Sequence, residues 1–101
     1  MAAKQKLLPL IHPGEILFEE FMQPLELSIN RLERELIVPP GRVSAIVNGK
    51  RSITADTALR LGQYFGVSPE LWMGLQADFD LRVAQRAIGP EVERRIRRHA
   101  A

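Results

Sequence analysis

The sequence contains no cysteine, and its aromatic content is only 6%. Without cysteine the chain can form no disulfide, no thiolate metal site and no thiol nucleophile. No apolar run approaches the ~20 residues that a membrane-spanning helix needs. The short apolar stretch at residues 7–11 is interrupted by Pro9, so it lacks the ~7–15-residue apolar core of a secretory signal. We therefore expect a soluble, cytoplasmic protein that contacts no membrane.

Histidine is also scarce, and the usual catalytic motifs are missing. The two histidines are His12 and His99. His12 precedes Pro13, where helix capping or packing is expected, and His99 lies in the basic C-terminal segment. The sequence has no zinc-protease spacing, no phosphate-binding glycine loop and no serine elbow of a hydrolase. We expect no catalytic residue, no bound metal and no cofactor, and therefore no enzyme.

The remaining composition is that of a small globular domain. Hydrophobic residues make up 46% and charged residues 26% of the 101 residues, both near the averages of soluble proteins. Signals for helix starts and helix stops divide the chain into short pieces. The starts are Pro13, Ser28, Pro39-Pro40, Thr54 and Ser68-Pro69, and the stops are Gly49, Gly66 and Gly89-Pro90. Since no window alternates apolar and polar residues, the sequence predicts an all-α domain of five or six short helices.

Two of these predicted helices form the most informative pair. The helix that starts at Ser28 is followed by the tight turn Ile37-Val38-Pro39 and then by a second short helix. Such a pair is typical of a helix-turn-helix motif, whose second helix lies in the major groove of DNA. The residues that would face the base edges are Pro40, Gly41, Arg42 and Ser44. Arg42 is the strongest candidate, because a guanidinium group can donate two hydrogen bonds to guanine.

Polar and basic residues around this pair predict contacts to the DNA backbone. Lys50 and Arg51 are adjacent in the loop after the second helix, and neighbouring cations beside hydroxyl and amide groups suit phosphate binding. The predicted phosphate-contacting set is Ser28, Asn30, Asn48, Lys50, Arg51 and Thr54. Short helix pairs and Lys-Arg loops also occur in proteins that bind no DNA, so spacing alone leaves both interpretations open.

The net charge of +2 conceals four segments of alternating sign. Residues 1–27 carry a net charge of −2 and residues 55–80 carry −3, whereas residues 28–54 carry +3 and residues 81–101 carry +4. The first basic segment contains the predicted helix-turn-helix. The second is either a solvated helix end, whose cations suit the helix dipole, or an additional phosphate contact.

Three stretches of the sequence together resemble one family. They are HPGEIL at residues 12–17, VNGKRSITADTALRL at residues 47–61 and SPELWMGLQ at residues 68–76. Here the chain is similar to the HigA-type antitoxins, which are Xre/Cro-like helix-turn-helix proteins of toxin–antitoxin modules, and the likeness extends over residues 10–86. The resemblance implies a compact, lambda-repressor-like domain. It also implies a homodimer that binds double-stranded operator DNA, represses its own promoter and neutralises a cognate RelE-like mRNA-nuclease toxin.

Two residues depart from the usual helix-turn-helix pattern. Helix-turn-helix proteins usually have a small residue where the two helices cross, and here the residue is Glu33. The turn usually contains glycine because its φ is positive, and here the residue is Ile37, for which a positive φ is strained. We expect either a different backbone path through the turn or a different crossing of the helices. The docking of Arg42 on DNA depends on the outcome.

A palindromic operator requires two recognition helices about 34 Å apart, which a single chain cannot supply. The late apolar stripe of Trp72, Leu75, Phe79 and Val83 can serve both the core and a two-fold contact, and we assign Phe79 and Val83 to the dimer interface. The predicted organisation is an N-terminal arm at residues 1–11, a DNA-binding and dimerisation domain at residues 12–88, and a basic tail or short helix at residues 89–101.

Two other functions fit the same sequence. Glu33 and Ile37 favour a protein-interaction module that inhibits a toxin while its helix-turn-helix is degenerate. A solitary Xre-type transcriptional regulator without a toxin is the second alternative. Binding to the DNA upstream of the gene separates the first alternative from an autorepressor, and an adjacent toxin gene separates the second.

Overall fold

Helices account for all the regular structure in residues 10–100, the part of the chain that this computed structural model describes. Helix α1 runs directly into a π-helical segment, and four α-helices follow. The bounds are α1 Pro13–Ile16, the π-helical segment Leu17–Met22, α2 Ile29–Leu36, α3 Arg42–Val47, α4 Ala55–Phe65 and α5 Pro69–Arg95. No strand occurs within the described range, and the predicted all-α class is confirmed. Most of the predicted N-terminal arm, residues 1–9, lies outside the described residues.

The helix starts follow the sequence signals closely. The side chains of Ser28, Thr54 and Ser68 each accept a hydrogen bond from a backbone N–H two or three residues further on. These bonds satisfy N–H groups that have no partner inside the helix. The predicted N-caps are therefore confirmed. Gly66 ends α4 in the left-handed conformation, as the sequence predicts.

The first helical stretch changes its hydrogen-bonding pattern after one turn. In the π-helical segment the backbone N–H of Gln23 donates to the carbonyl of Phe18, five residues earlier, at 2.9 Å. Residues five apart then share a face, and Leu17 and Met22 are both fully buried. Leu25, which α-helical spacing assigns to the apolar face, is 61% exposed. Leu25 is exposed because the helical stretch ends before it, at Met22.

One core holds the helices together. Helix α2 packs on α3 and α4, α4 packs along α5, and α1 contacts both α3 and α5. Trp72, at the centre, is fully buried and contacts the rings of Phe21 and Phe65. The buried apolar residues are Leu17, Met22, Leu27, Leu32, Leu36, Val43, Ile46, Ile53, Ala58, Leu61 and Trp72. Because every helix but the shortest contributes to this core, α3 is held by contacts on several sides.

Helix α5 continues past the predicted stop at Gly89-Pro90 and ends at Arg95. The prediction of a helix end there is wrong for two physical reasons. Proline clashes with the Cβ of the residue before it, and Gly89 has no Cβ. Proline also removes one hydrogen bond, but this part of the helix is exposed, so water can replace the lost bond. The short helix predicted in the tail is thus the last part of α5.

The second half of α5 extends away from the core. From Leu81 to the end of the described range every residue is exposed except the half-buried Gly89. The radius of gyration is 17.2 Å, against about 13 Å for a compact chain of 100 residues. None of the helices in residues 10–100 has the length and apolar character that crossing a membrane requires.

Candidate nucleic-acid interface

Helices α2 and α3 form a helix-turn-helix with a regular turn. Ile37 ends α2 with φ 58° and ψ 51°, the left-handed conformation. Its N–H donates to the carbonyl of Arg34, and the N–H of Val38 donates to the carbonyl of Glu33. This pair of bonds is the Schellman arrangement that ends many helices, with glycine as the usual left-handed residue. The expected different backbone path is therefore wrong: isoleucine occupies the conformation in which glycine is usual.

Glu33 lies buried between α2 and α3, and its carboxylate caps the recognition helix α3. Its Oε2 accepts hydrogen bonds from the backbone N–H groups of Gly41, Val43 and Ser44 at 2.9, 3.0 and 3.4 Å. Only 5% of its surface is exposed. The N-cap position is held by Gly41, which has no side chain to perform this task. Glu33 thus supplies from another helix the acceptor and negative charge that a helix N-terminus favours.

The predicted base-reading residues lie at the N-terminal end of α3. The helix begins at Arg42, later than the proline pair predicts, so Pro40 and Gly41 belong to the turn before it. Gly41 has a φ of 92°, which a residue with a side chain rarely adopts. Arg42 is half-buried. The half-buried Ser44 lies two residues further along, and its hydroxyl accepts from Asn48 Nδ2 at 3.4 Å.

An open cleft of about 330 Å³ lies beside the N-terminal end of α3. It brings together Arg42, Arg51 and Thr54 from the predicted DNA-binding set, and also Asp56 and Arg60. The hydrogen bond and charge of Arg60, with a further contribution from Arg42, hold the pKa of Asp56 below its ordinary value. With three guanidinium groups and one carboxylate, the cleft has a positive charge that favours phosphate.

The other predicted phosphate-contacting residues surround the motif. Ser28 and Asn30 are exposed at the start of α2, and a small cleft of about 250 Å³ brings Asn30 beside Pro40. Asn48 and Lys50 are exposed in the loop after α3. Ser28 already uses its hydroxyl as the N-cap of α2, where it accepts from the N–H of Arg31 at 3.1 Å.

Helix α5 anchors the loop that carries the cations. The buried side chain of Gln76 accepts a hydrogen bond from the backbone N–H of Ile53 at 2.8 Å and donates to Asp80 Oδ1 at 2.9 Å. Ile53 itself is 1% exposed. Because the loop is fixed at this point, Arg51 and Thr54 are held next to α3 rather than left in a free loop.

Helix α1 contacts both α3 and α5, and His12 lies at its start. His12 caps α1 through Nδ1, which accepts from the N–H of Gly14 at 2.9 Å, and its ring contacts that of Phe79 with centroids 4.9 Å apart. Burial lowers the pKa of His12, although the charges of Asp80 and Glu15 act in the opposite direction. A neutral ring keeps Nδ1 available as an acceptor. The predicted capping and packing role of His12 is confirmed.

Three residues that shape this region were not identified by sequence reasoning: Glu33 as a cap, Arg60 and Gln76. Glu33 and Gln76 carry a signal, because each polar residue falls on the apolar face of its helix, beside Leu32 and Trp72 respectively. A polar residue on such a face is usually hydrogen-bonded. Arg60 carries no comparable signal. Residues 10–100 contain no cluster of three His, Asp or Glu side chains that could hold a metal ion.

The match to known families decides the assignment. The family described as "Helix-turn-helix" matches residues 18–72, more than half of the chain, including α2, the turn and α3. An addiction module antidote protein of the HigA family from Coxiella burnetii is 46% identical, with a TM-score of 0.86, and the match covers 91% of this chain and 100% of that one. This chain is a helix-turn-helix protein of the HigA antitoxin family.

Two further relatives agree with this HigA-type assignment. Pseudomonas aeruginosa antitoxin HigA, whose structure includes the higBA promoter, is 41% identical in sequence to this chain. The two structures match with a TM-score of 0.88 over 91% of this chain and 100% of that one. Virulence-associated protein I from Dichelobacter nodosus is 48% identical over 79 residues, which cover 78% of this chain and 73% of the relative. Against some other curated relatives the aligned stretch spans 61% of their length.

Proposed function

We propose that this HigA-type protein binds operator DNA through α3, represses its own promoter and neutralises a RelE-like mRNA-nuclease toxin. The observation that carries the DNA-binding part is a regular helix-turn-helix in which Glu33 caps α3. Arg42 and Arg51 line the adjoining cleft. The P. aeruginosa relative, whose structure includes its promoter, supports the same assignment. Operator binding implies a cytoplasmic, nucleoid-associated protein.

Arg42 and Arg51 have separable roles in this proposal. Arg42→Ala removes a side chain that faces base edges, so we expect a loss of about 1–3 kcal/mol that is concentrated at particular base pairs. Arg51→Ala removes a phosphate contact and should weaken binding to all duplexes alike, with a salt slope lower by about one. Fluorescence anisotropy on the DNA upstream of the gene and on single-base variants, at several salt concentrations, measures both effects.

The control is Arg82→Ala, which removes an exposed arginine on α5 that pairs with Asp78. It should bind the operator like the original protein. If Arg42→Ala keeps both its affinity and its base preference, the assignment of base readout to Arg42 is wrong.

Homodimerisation through α5 is part of the proposal. Phe79 contacts His12 within the chain, whereas Val83 remains 41% exposed. A second apolar stripe lies on the side of α5 opposite Trp72, since nine residues at 100° each bring Leu81 half a turn round the helix. Its members are exposed and recur at helical spacing: Ala77, Leu81, Ala84, Ile88 and Val92. We infer that α5 of one protomer contacts its partner through Phe79 and Val83 on the Trp72 side of the helix, and that the second stripe offers a further contact on the opposite side.

Co-expression with the neighbouring reading frame tests the dimer and the toxin partner together. We expect the protein alone to have twice its 11.4 kDa mass by light scattering, and the tagged protein to co-purify with a small basic toxin. The same sample should bind the upstream DNA. A toxin complex without DNA binding at low salt would favour the interaction module, and DNA binding without a toxin would favour the solitary regulator. The regular geometry around Glu33 and Ile37 supports a working motif over a degenerate one.

A further inference from the structure

The turn of the helix-turn-helix contains a strained residue that its own side chain does not stabilise. Ile37 lies in the left-handed region, where a β-branched side chain is unfavourable. The residue is 81% exposed, so burial offsets little of this strain. Something else in the fold must hold the turn in this conformation.

The Schellman hydrogen bonds leave part of the turn unsatisfied. They use the carbonyl groups of Glu33 and Arg34 as acceptors. The carbonyl groups of Leu36 and Ile37, at the end of α2, have no following turn of helix to supply donors. These two carbonyl oxygens flank the strained residue, so a donor that binds both of them resists rotation of the backbone at Ile37.

Arg60 of α4 is that donor. Its Nη1 donates to the carbonyl oxygen of Leu36 at 2.9 Å and to that of Ile37 at 3.0 Å. Its Nε donates to Asp56 Oδ1 at 2.7 Å, which holds the planar guanidinium group in one orientation. The pair Asp56–Arg60 therefore forms a bridge from α4 to the turn that precedes α3.

We propose that Arg60 is a positioning residue for operator recognition: it holds the strained turn at Ile37 and thereby orients α3, and it contacts no phosphate itself. This inference rests on the proposed function, because its main effect is on operator affinity. Although Arg60 lines the same cleft as Arg42 and Arg51, two of its donor groups are already used by the backbone and by Asp56. These bonds direct Nη1 and Nε to the turn and to Asp56, whose carboxylate weakens the attraction of the group for phosphate. Nη2 keeps two N–H donors, and the salt slope of binding tests whether they contact a phosphate.

A double-mutant cycle with Ile37→Gly tests the role of Arg60. Glycine adopts the left-handed conformation without strain, so Ile37→Gly should remove the need for the bridge. We expect Arg60→Ala to weaken binding to the upstream DNA about tenfold and Ile37→Gly to have little effect. The double variant should bind the same DNA less than about threefold more weakly than Ile37→Gly does. The salt slope of binding should stay unchanged in Arg60→Ala. Fluorescence anisotropy at several salt concentrations measures all four proteins.

Two outcomes would overturn the proposal. One is an equal loss of affinity from Arg60→Ala with and without Ile37→Gly, which would mean that Arg60 acts independently of the turn. The other is a salt slope lower by about one in Arg60→Ala, which would identify a phosphate contact. If Arg60→Ala does not fold, Arg60→Lys replaces it in the double-mutant cycle, because lysine cannot hold the planar, forked contact. Arg60→Gln, which removes the charge, then replaces it in the measurement of the salt slope.

Amide hydrogen exchange separates this proposal from the proposed function. The N–H groups of Ile37 and Val38 donate within the turn, so their protection reports on the turn without DNA. We expect their exchange to accelerate in Arg60→Ala and to be insensitive to Arg60 when residue 37 is glycine. Failure of the original protein to bind the upstream DNA would contradict the proposed function, whereas unchanged exchange in Arg60→Ala would contradict the bridge.

Discussion

Replacing Gly14 by alanine should destabilise the protein by about 2–4 kcal/mol and displace α3. A Cβ on Gly14 would lie 1.8 Å from the carbonyl oxygen of Ile46 and 2.9 Å from the Cα of Val47. Both atoms belong to the backbone of α3, so no side chain can rotate to relieve the contact, and the two helices must separate. A loss of this size lowers the melting temperature by roughly 8–30 °C in a chain of this length, which thermal unfolding by circular dichroism measures.

The matched control is Gly74→Ala, in the exposed interior of α5. A Cβ there meets no heavy atom within 4 Å, so the change should raise stability by about 0.5–1 kcal/mol through the lower entropy of the unfolded chain. Gly14→Ala should also lose operator affinity, because the displaced helix carries Arg42. Equal melting temperatures for the two variants would contradict the close contact between α1 and α3.

Glu33→Ala should produce the second large effect, a loss of about 2–4 kcal/mol. The change removes the acceptor of three backbone N–H groups. One of them, the N–H of Val43, is then buried without a partner. Exchange of the Val43 amide should accelerate strongly. Glu33→Gln keeps an acceptor oxygen but not the charge, so its loss should be about half as large. Denaturant unfolding gives the free energies, and amide exchange reports on Val43 directly.

Glu35→Ala is the control for this effect. Glu35 lies on the same helix and is exposed, so its removal should change stability by no more than about 0.5 kcal/mol. If Glu33→Ala is as stable as Glu35→Ala and the Val43 amide exchanges at its original rate, the carboxylate is not the cap of α3. An intact fold with reduced operator affinity would indicate that the cap serves mainly to orient the recognition helix.

The starts of α2, α4 and α5 could be predicted because their causes are local. Ser28, Thr54 and Ser68 cap helices through groups only two or three residues away, and the left-handed Gly66 is a property of one residue. The predicted stop at Gly89-Pro90 failed for the opposite reason. Each residue alone favours a helix end, but glycine before proline removes the part of the clash that involves the preceding Cβ.

The candidate site could be located, but its construction could not be predicted. The short helix pair and the adjacent cations Lys50 and Arg51 indicated a DNA-binding surface. The bonds that hold α3 and its flanking turn and loop join residues far apart in the sequence. They span 8–11 residues for Glu33, 23–24 for Arg60 and 23 for Gln76. No periodic pattern describes such pairs, because they depend on how the helices pack. Glu33 and Ile37, which suggested a degenerate motif, are both accommodated by partners from other parts of the fold.

The sequence by itself determined the all-α class, the starts of every helix except α3, the absence of cysteine chemistry and the basic character of the segment around α3. These properties follow from local conformational preferences and from composition. Only the tertiary structure decided that a buried glutamate caps the recognition helix, that Arg60 binds the strained turn, and that Gly14 must lack a side chain. The physical reason is that each depends on the distance between backbone atoms that are far apart in the chain, and packing alone sets those distances.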